Sequence, residues 1–318
     1  MKSISLPFII LVLVIVATGC ETQTETPGSQ RVKSIVGYKQ QTNNHKTEFS
    51  YQSGKVSEIV NYDYDNGAWL ENLKNEVTYD SNNINIVELK KNNAQWDSTD
   101  KYVYKTSDNN LTEIWKYEKM AAGWSETYKL VYTYEGGNLA MVTTYEKDGG
   151  DWTKDSETTI SYLDRDIASI VYSDFDSDDN DVYSRKDTCL YENNLISKVR
   201  TFYKDYYDWI PIAEKRYEYD SGKLSRLTNY FWEDQTWIES FSNSYEYTPE
   251  NMLLKISYSN GDYDKYNYET GTGNLSMLLN YFNQIDYMYG EPKPEESHDD
   301  SAPIKESFVP TLFQCLKF

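Results

Sequence analysis

Residues 217–237 read YEYDSGKLSRLTNYFWEDQTW, and close variants of this phrase recur along the 318-residue chain. YEYDSGKL at Tyr217 answers to FSYQSGKV at Phe49, YTYEGGNL at Tyr132 and YVYKTSDNNL at Tyr102. With the second tyrosine of YEY, Tyr219, as anchor, the equivalent positions are Tyr51, Tyr79, Tyr104, Tyr134, Tyr162, Tyr191, Tyr247 and Tyr268. Successive anchors are 28, 25, 30, 28, 29, 28, 28 and 21 residues apart. A period in this range marks a repeat architecture, which takes precedence over local guesses.

Each unit divides by its periodicity. A tryptophan stands ten residues before most anchors, at Trp69, Trp124, Trp152, Trp209 and Trp237, and Trp96 stands eight before Tyr104. Even offsets predict tryptophan and tyrosine on one strand face, because side chains alternate with period two. Trp237, Phe241, Tyr245 and Tyr247 are thus expected on one face, with Ser240, Ser242, Ser244 and Glu246 on the other. Thr, Tyr, Val and Trp are also the residues that strands favour.

After the anchor, Ser53-Gly54, Gly136-Gly137, Asn193-Asn194 and Ser221-Gly222 supply residues that tolerate positive φ in a short hairpin turn. A second strand follows with an aliphatic residue five past the anchor, as at Val56, Ile84, Leu139, Ile167, Ile196 and Leu224. Another stands three further on, at Ile59, Val87, Val142, Ile170, Val199 and Leu227. A spacing of three does not keep both on one face of a regular strand. Either a bulge intervenes or the second column faces outward.

The expected fold is all-β: about nine tandem antiparallel hairpins of ~28 residues, forming a large curled sheet or a barrel, flattened or round. No single hairpin buries its aromatic face alone, which is why the phrase repeats. A round barrel of roughly eighteen strands would be over ~30 Å wide and hollow, whereas a flattened one brings walls to ~10 Å.

These Tyr-x-Tyr-x-x-x-Gly-x-Leu hairpins resemble the YD repeats of Rhs- and teneurin-type shells, which are shorter and carry a tighter Tyr-Asp signature. The whole resembles more closely a group of Tyr/Trp-rich secreted bacterial lipoproteins of unassigned function, whose repeat domain is described as porin-like. That resemblance covers residues 32 to about 290 and implies architecture, with no functional residues to transfer.

The ends read differently. MKSISLPFIILVLVIVATGC has Lys2, an apolar run from Phe8 to Ala17, and small residues before Cys20. The run is shorter than the ~20 residues a bilayer span needs and fits a signal peptide over 1–19. It resembles a lipobox with Ala17 where Leu is usual, which implies Cys20 as the lipidated mature N-terminus. Residues 20–31 then read as a flexible tether, 32–290 as the repeat domain, 291–303 as an acidic Pro-rich linker and 304–318 as a C-terminal segment. The expected location is extracytoplasmic: a membrane-anchored lipoprotein of the Gram-negative outer membrane or cell surface, held by an N-terminal lipid (palmitate).

The net charge is −20, and loss of residues 1–19, which hold only Lys2 among charged side chains, leaves −21. So acidic a surface repels phosphate backbones, which argues against nucleic acid as a partner. Besides Cys20, the chain has Cys189 and Cys315; a buried free thiol is expected at Cys189, with pairing left open.

Chemistry is sparse. With only His45 and His298, no Ser-His-Asp set, metalloprotease helix motif or phosphate loop can be assembled, and an enzyme is not expected. Stacked tryptophan and tyrosine suit sugar rings, so a glycan or an envelope protein is the expected ligand class, although the rings also suit a core. A glycan-acting hydrolase with paired carboxylates and a membrane-spanning barrel are the alternatives. The latter needs an outward aliphatic band, and mean hydropathy is −0.75. One unit breaks the pattern at DFDSDDNDVY, where Asp174, Asp176 and Asp178 alternate as early calcium ligands do, with Asp179 and Asp181 adjoining. Asp179 stands where such loops need glycine and Arg185 where they close with glutamate, so weak Ca²⁺ binding competes with a simple solvated acidic tip.

Overall fold

The computed structural model describes residues 30–270, except 109, 165 and 176–180, and gives backbone alone for Asp148 and Asp181. Cys20, Asp176, Asp178, Asp179, His298, Cys315 and everything beyond residue 270 lie outside the described residues.

Eighteen strands follow one another without a helix among the described residues. They are β1 (Gln30–Lys39), β2 (Thr42–Gln52), β3 (Lys55–Asp65), β4 (Ala68–Asp80), β5 (Asn83–Asn92) and β6 (Gln95–Ser107). Next come β7 (Asn110–Met120), β8 (Gly123–Glu135), β9 (Asn138–Asp148), β10 (Asp151–Leu163), β11 (Asp166–Phe175) and β12 (Asp181–Glu192). The series ends with β13 (Leu195–Asp205), β14 (Asp208–Asp220), β15 (Lys223–Glu233), β16 (Thr236–Tyr247), β17 (Leu253–Tyr258) and β18 (Tyr263–Thr270). Each pairs antiparallel with the next, and β1 also pairs with β18, so the sheet closes into a barrel. Of the curled sheet and the barrel, the barrel is found. Closure leaves no edge strand exposed.

The closing pair has a repeat-level explanation. β18 carries the last anchor, Tyr268, and is the last strand among the described residues. β1 pairs with it as a second strand does: Val32 pairs with Tyr268, a bulge follows, and Ile35 then faces inward, as Val56 and Ile59 do in the first complete hairpin. Among the described residues, β1 thus completes the ninth unit. Gln30 and Arg31, expected in the tether, already belong to β1.

The spacing of three is resolved by bulges. Tyr51 pairs with Val56 and Ser50 with Glu58, so Ser57 is an extra residue. Val56 and Ile59 both face the interior as a result, and the same holds for Leu111 and Ile114, Leu139 and Val142, and Leu224 and Leu227. β4 and β5 pair without a bulge, and there Ile86, not the expected Val87, is buried. The turns with Ser53-Gly54, Gly136-Gly137, Asn193-Asn194 and Ser221-Gly222 hold positive φ at both residues, as their composition predicts.

The anchor tyrosines bind one hairpin to the next. Each hydroxyl donates to the carbonyl of the aliphatic residue beside the preceding bulge: Tyr51 to Val32 (2.7 Å), Tyr79 to Val56 (3.0 Å), Tyr134 to Leu111 (2.8 Å), Tyr219 to Ile196 (2.9 Å) and Tyr247 to Leu224 (2.9 Å). A bulge locally disrupts the ladder, and the hydroxyl supplies a donor there. Burial pushes the Tyr219, Tyr247 and Tyr268 hydroxyls up to about 12. The third unit differs. Its latch residue is Thr106, whose amide and hydroxyl both donate to the Asn82 carbonyl, while Tyr104, the expected anchor, points inward and is wholly buried. Trp96 stands ten residues before Thr106, so the irregular spacing there was a misplaced anchor.

Fully buried side chains recur around the circumference, as at Val56, Ile114, Leu139, Val199 and Ile256. In a sheet closed on itself only the inner face is covered all the way round. Ile114 and Ile256 reach 0% exposure.

Candidate functional site

The two ends of the barrel differ. One carries the glycine-type turns that follow the anchors; the other carries the turns that precede the tryptophans. Near the first, the interior is aliphatic and aromatic. Toward the second it becomes polar: Lys116 lies 3.3 Å from Asp100 and 3.6 Å from Glu118, and Arg185 lies 3.5 Å from Asp187. Burial, helped by Asp100, pushes the Glu88 carboxyl up, against the pull of the Thr99 hydroxyl and Lys116.

His45 belongs to this polar level. Its ring lies over Gly37 so closely that a Cβ there would come within 2.0 Å of it, which is why β1 carries glycine at this point. Its Nε2 is 3.5 Å from Asp264 Oδ1, while Tyr258 donates to Asp264 Oδ2 at 2.6 Å. Asp174, the first of the candidate calcium ligands, also faces inward, buried on β11 and accepting a short hydrogen bond from the Tyr172 hydroxyl. Cys189 is a buried thiol on the inner face, pushed up by burial and then by Asp187.

The tryptophans are not core. In β16, Asn229 pairs with Phe241 and Tyr230 with Glu239, leaving Ser240 as an extra residue. That bulge rotates the strand, so Trp237 faces outward while Phe241, Tyr245 and Tyr247 face inward. Asn72 in β4, Thr99 in β6, Thr127 in β8 and Asp155 in β10 do the same for Trp69, Trp96, Trp124 and Trp152. The shared aromatic face expected from even offsets is thus broken seven residues before each of these latch positions. Polar residues at a bulge look like ordinary outward residues in the sequence, so alternation alone does not reveal it.

Outside, the tryptophans already have partners. Lys105 and Lys129 lie 4.5 and 5.4 Å from the Trp115 ring, Lys129 and Lys147 lie 4.9 and 5.3 Å from Trp152, and Trp232 packs edge-on against Trp237. Such cation–π contacts contribute roughly 0.5–1 kcal/mol each at exposed sites. Two of these lysines are paired in turn, Lys105 with Glu113 at 2.7 Å and Lys147 with Glu126 at 2.8 Å. At mid-strand, Glu214 is clamped between Arg200 (2.5 Å) and Arg216 (2.6 Å). Burial would raise its carboxyl, but the two guanidiniums outweigh that and hold it below the usual range.

What remains unpartnered is the rim at the tryptophan-turn end. Leu70, Met120, Val182, Tyr206, Tyr207 and Ile238 are exposed there, against Leu163, Leu190 and Ile212 elsewhere among the described residues. The described chain ends leave from the opposite side, since Gln30 pairs with Thr270 at the glycine-turn end. The rim was not foreseen, and only its unusual Tyr206-Tyr207 turn was a visible signal.

No family model matches the sequence, and no curated protein matches it. Among solved structures, two porin-like proteins are similar in fold. One, from Bacteroides uniformis, is 12% identical with a TM-score of 0.43 and covers 77% of this chain and 99% of that one. The other, from Bacteroides vulgatus, is 11% identical with a TM-score of 0.42 and covers 76% and 99%. A protein of unknown function from Bacteroides fragilis is 11% identical with a TM-score of 0.35, covering 36% of this chain and 91% of that one.

Proposed function

We propose that this protein is an envelope β-barrel tethered by a lipid on Cys20 and acting as a binding module, with its tryptophan-turn rim as the binding face. The observation that carries this reading is the opposition of the two ends: the chain leaves at one end and the exposed apolar side chains gather at the other. A tether at Cys20 would then hold the rim away from the lipid, toward partners.

The outward wall supports a barrel standing in water. Arg200, Glu214 and Arg216 occupy mid-strand positions, and basic side chains facing lipid at the bilayer midplane cost ~2–4 kcal/mol each. The paired tryptophans leave less ring face for sugars than the sequence suggests, which favours a protein ligand over a glycan. Replacement of Cys20 tests the anchor: Cys20→Ala is expected to yield unlipidated protein, either soluble or uncleaved. Normal lipid labelling and membrane retention of that variant would overturn the anchored reading.

A further inference from the structure

The hairpin tip between β13 and β14 departs from the other turns. Asp205 pairs with Asp208, leaving Tyr206 and Tyr207 as the turn, 88% and 95% exposed. Tyr206 holds φ +48, a left-handed conformation that glycine and asparagine tolerate and bulky residues disfavour. Equivalent positions at this end hold Gln40, Asn66, Asn93, Gly149 and Asp234, none of them aromatic. Both tyrosine rings stand in solvent, so packing offsets none of that strain. An exposed aromatic pair whose first residue holds a left-handed conformation points to function. The apolar surface continues sideways. Val182, which is exposed, lies three residues before Arg185, whose partner Tyr203 lies three before Tyr206.

We propose that the Tyr206-Tyr207 tip is the anchor by which the barrel docks a partner protein, and that it enters a pocket of that partner lined by Arg or Lys. The tip is convex, and a small ligand needs a concave or enclosed site. A protruding aromatic pair fits a partner's concavity, where buried tyrosines concentrate binding energy. Charge selects the chemistry. Asp205 and Asp208 flank the rings, both exposed, in a chain of net charge −20. A guanidinium or ammonium in the pocket pairs with these carboxylates and stacks on the tyrosine faces. The inference rests on the reading of the barrel as a binding module with this rim as its face.

The test places p-benzoylphenylalanine at position 207 of the full-length protein in its own cells, followed by irradiation. The expected product is one crosslinked protein species, with Arg or Lys beside the crosslinked residue. Asp205→Lys with Asp208→Lys should lower the yield by about tenfold or more, as reversed charge at an interface does. A crosslink to glycan or lipid, no crosslink, or a yield unchanged by charge reversal overturns the proposal. Tyr206→Gly supplies a second readout: melting at or above the wild-type temperature, with crosslinking lost. A lower melting temperature would mean that Tyr206 serves the fold, and the proposal would fall. The same experiment in a Cys20→Ala background separates the two readings, because crosslinking that persists there supports the docking tip even if the anchor is wrong.

Discussion

The two halves of this barrel follow different rules. In the glycine-turn half, a tyrosine latch, a bulge and a pair of aliphatic residues recur around the circumference and at the β1–β18 closure, with Thr106 as the third latch and no bulge between β4 and β5. In the tryptophan-turn half the inward positions vary from His45 to Asp100, Arg185 and Phe241, and the turns vary from Asn66-Gly67 to Tyr206-Tyr207. Repetition belongs where each unit must fit its neighbour. Variation collects where the units face solvent, and that is the half in which a function has room to differ from unit to unit.

The largest expected effect separates these halves collectively. Burial pushes the Tyr219, Tyr247 and Tyr268 hydroxyls up to about 12 in the barrel, against about 10 in an unfolded chain. Below pH 10 these hydroxyls are protonated in both states, and the latches contribute fully. As pH rises from 10 to 12 the unfolded chain loses its protons first, so stability drains through that window. Tyrosinate absorbance and β-sheet circular dichroism should change together near the top of it. Free titration of these groups at pH 10 with the sheet intact would break the latch model.

Single substitutions sharpen the comparison. Ile114→Ala, at a fully buried position of the aliphatic half, should cost about 2–5 kcal/mol in urea unfolding. Ile238→Ala on the rim should stay within about 0.5 kcal/mol. Equal losses would mean that the rim is covered in solution.

Tyr245 and Trp237 probe the bulge at Ser240. Tyr245→Ala, on the inner face, should cost about 3–5 kcal/mol. Trp237→Ala should cost about 1–2 kcal/mol, from partial burial and its edge contact with Trp232. Trp237 would match Tyr245 if even spacing, and not the bulge, decided its face.

The hairpins and their number could be read from the tyrosine spacing because a strand needs only local chemistry: β-branched and aromatic residues, then a turn that tolerates positive φ. The face of each tryptophan could not, since Asn72, Thr99 and Ser240 are the polar residues an outward strand position would carry anyway. Two further signals lie in the sequence. Val32 and Ile35 repeat the spacing of Val56 and Ile59, which marks β1 as a second strand of the repeat. Trp96 stands ten before Thr106, which marks the third latch. The rim depends on the end at which the chain leaves and on which tips are strained, and neither is written in a periodicity.

A single latch is a smaller matter. Tyr219→Phe keeps the ring and removes the donor to the Ile196 carbonyl, with an expected loss of about 1–2 kcal/mol for the unsatisfied acceptor. Tyr207→Phe, at the exposed tip, should be neutral to stability by the same measurement. A neutral Tyr219→Phe would show that water replaces the latch without cost.

The smallest effect concerns the acidic stretch DFDSDDNDVY at Asp174–Tyr183. Clustered carboxylates repel one another, and hard oxygen donors suit Ca²⁺. Asp174, however, points into the barrel and is engaged by Tyr172, so calcium at this turn would have to rely on Asp176, Asp178, Asp179 and Asp181. A ligand present at its own Kd stabilises by only about 0.4 kcal/mol, a shift of roughly 1–2 °C for a domain of this size. Calorimetry in millimolar calcium against chelator should therefore show a small upward shift, and Asp174→Asn should leave that shift unchanged. If Asp174→Asn abolishes it, Asp174 must leave Tyr172 to bind the ion, and this part of the polar interior is less fixed than the latched half. If wild type shows no shift, the stretch is a solvated acidic turn, and the tryptophan-turn end works through its aromatic tips alone.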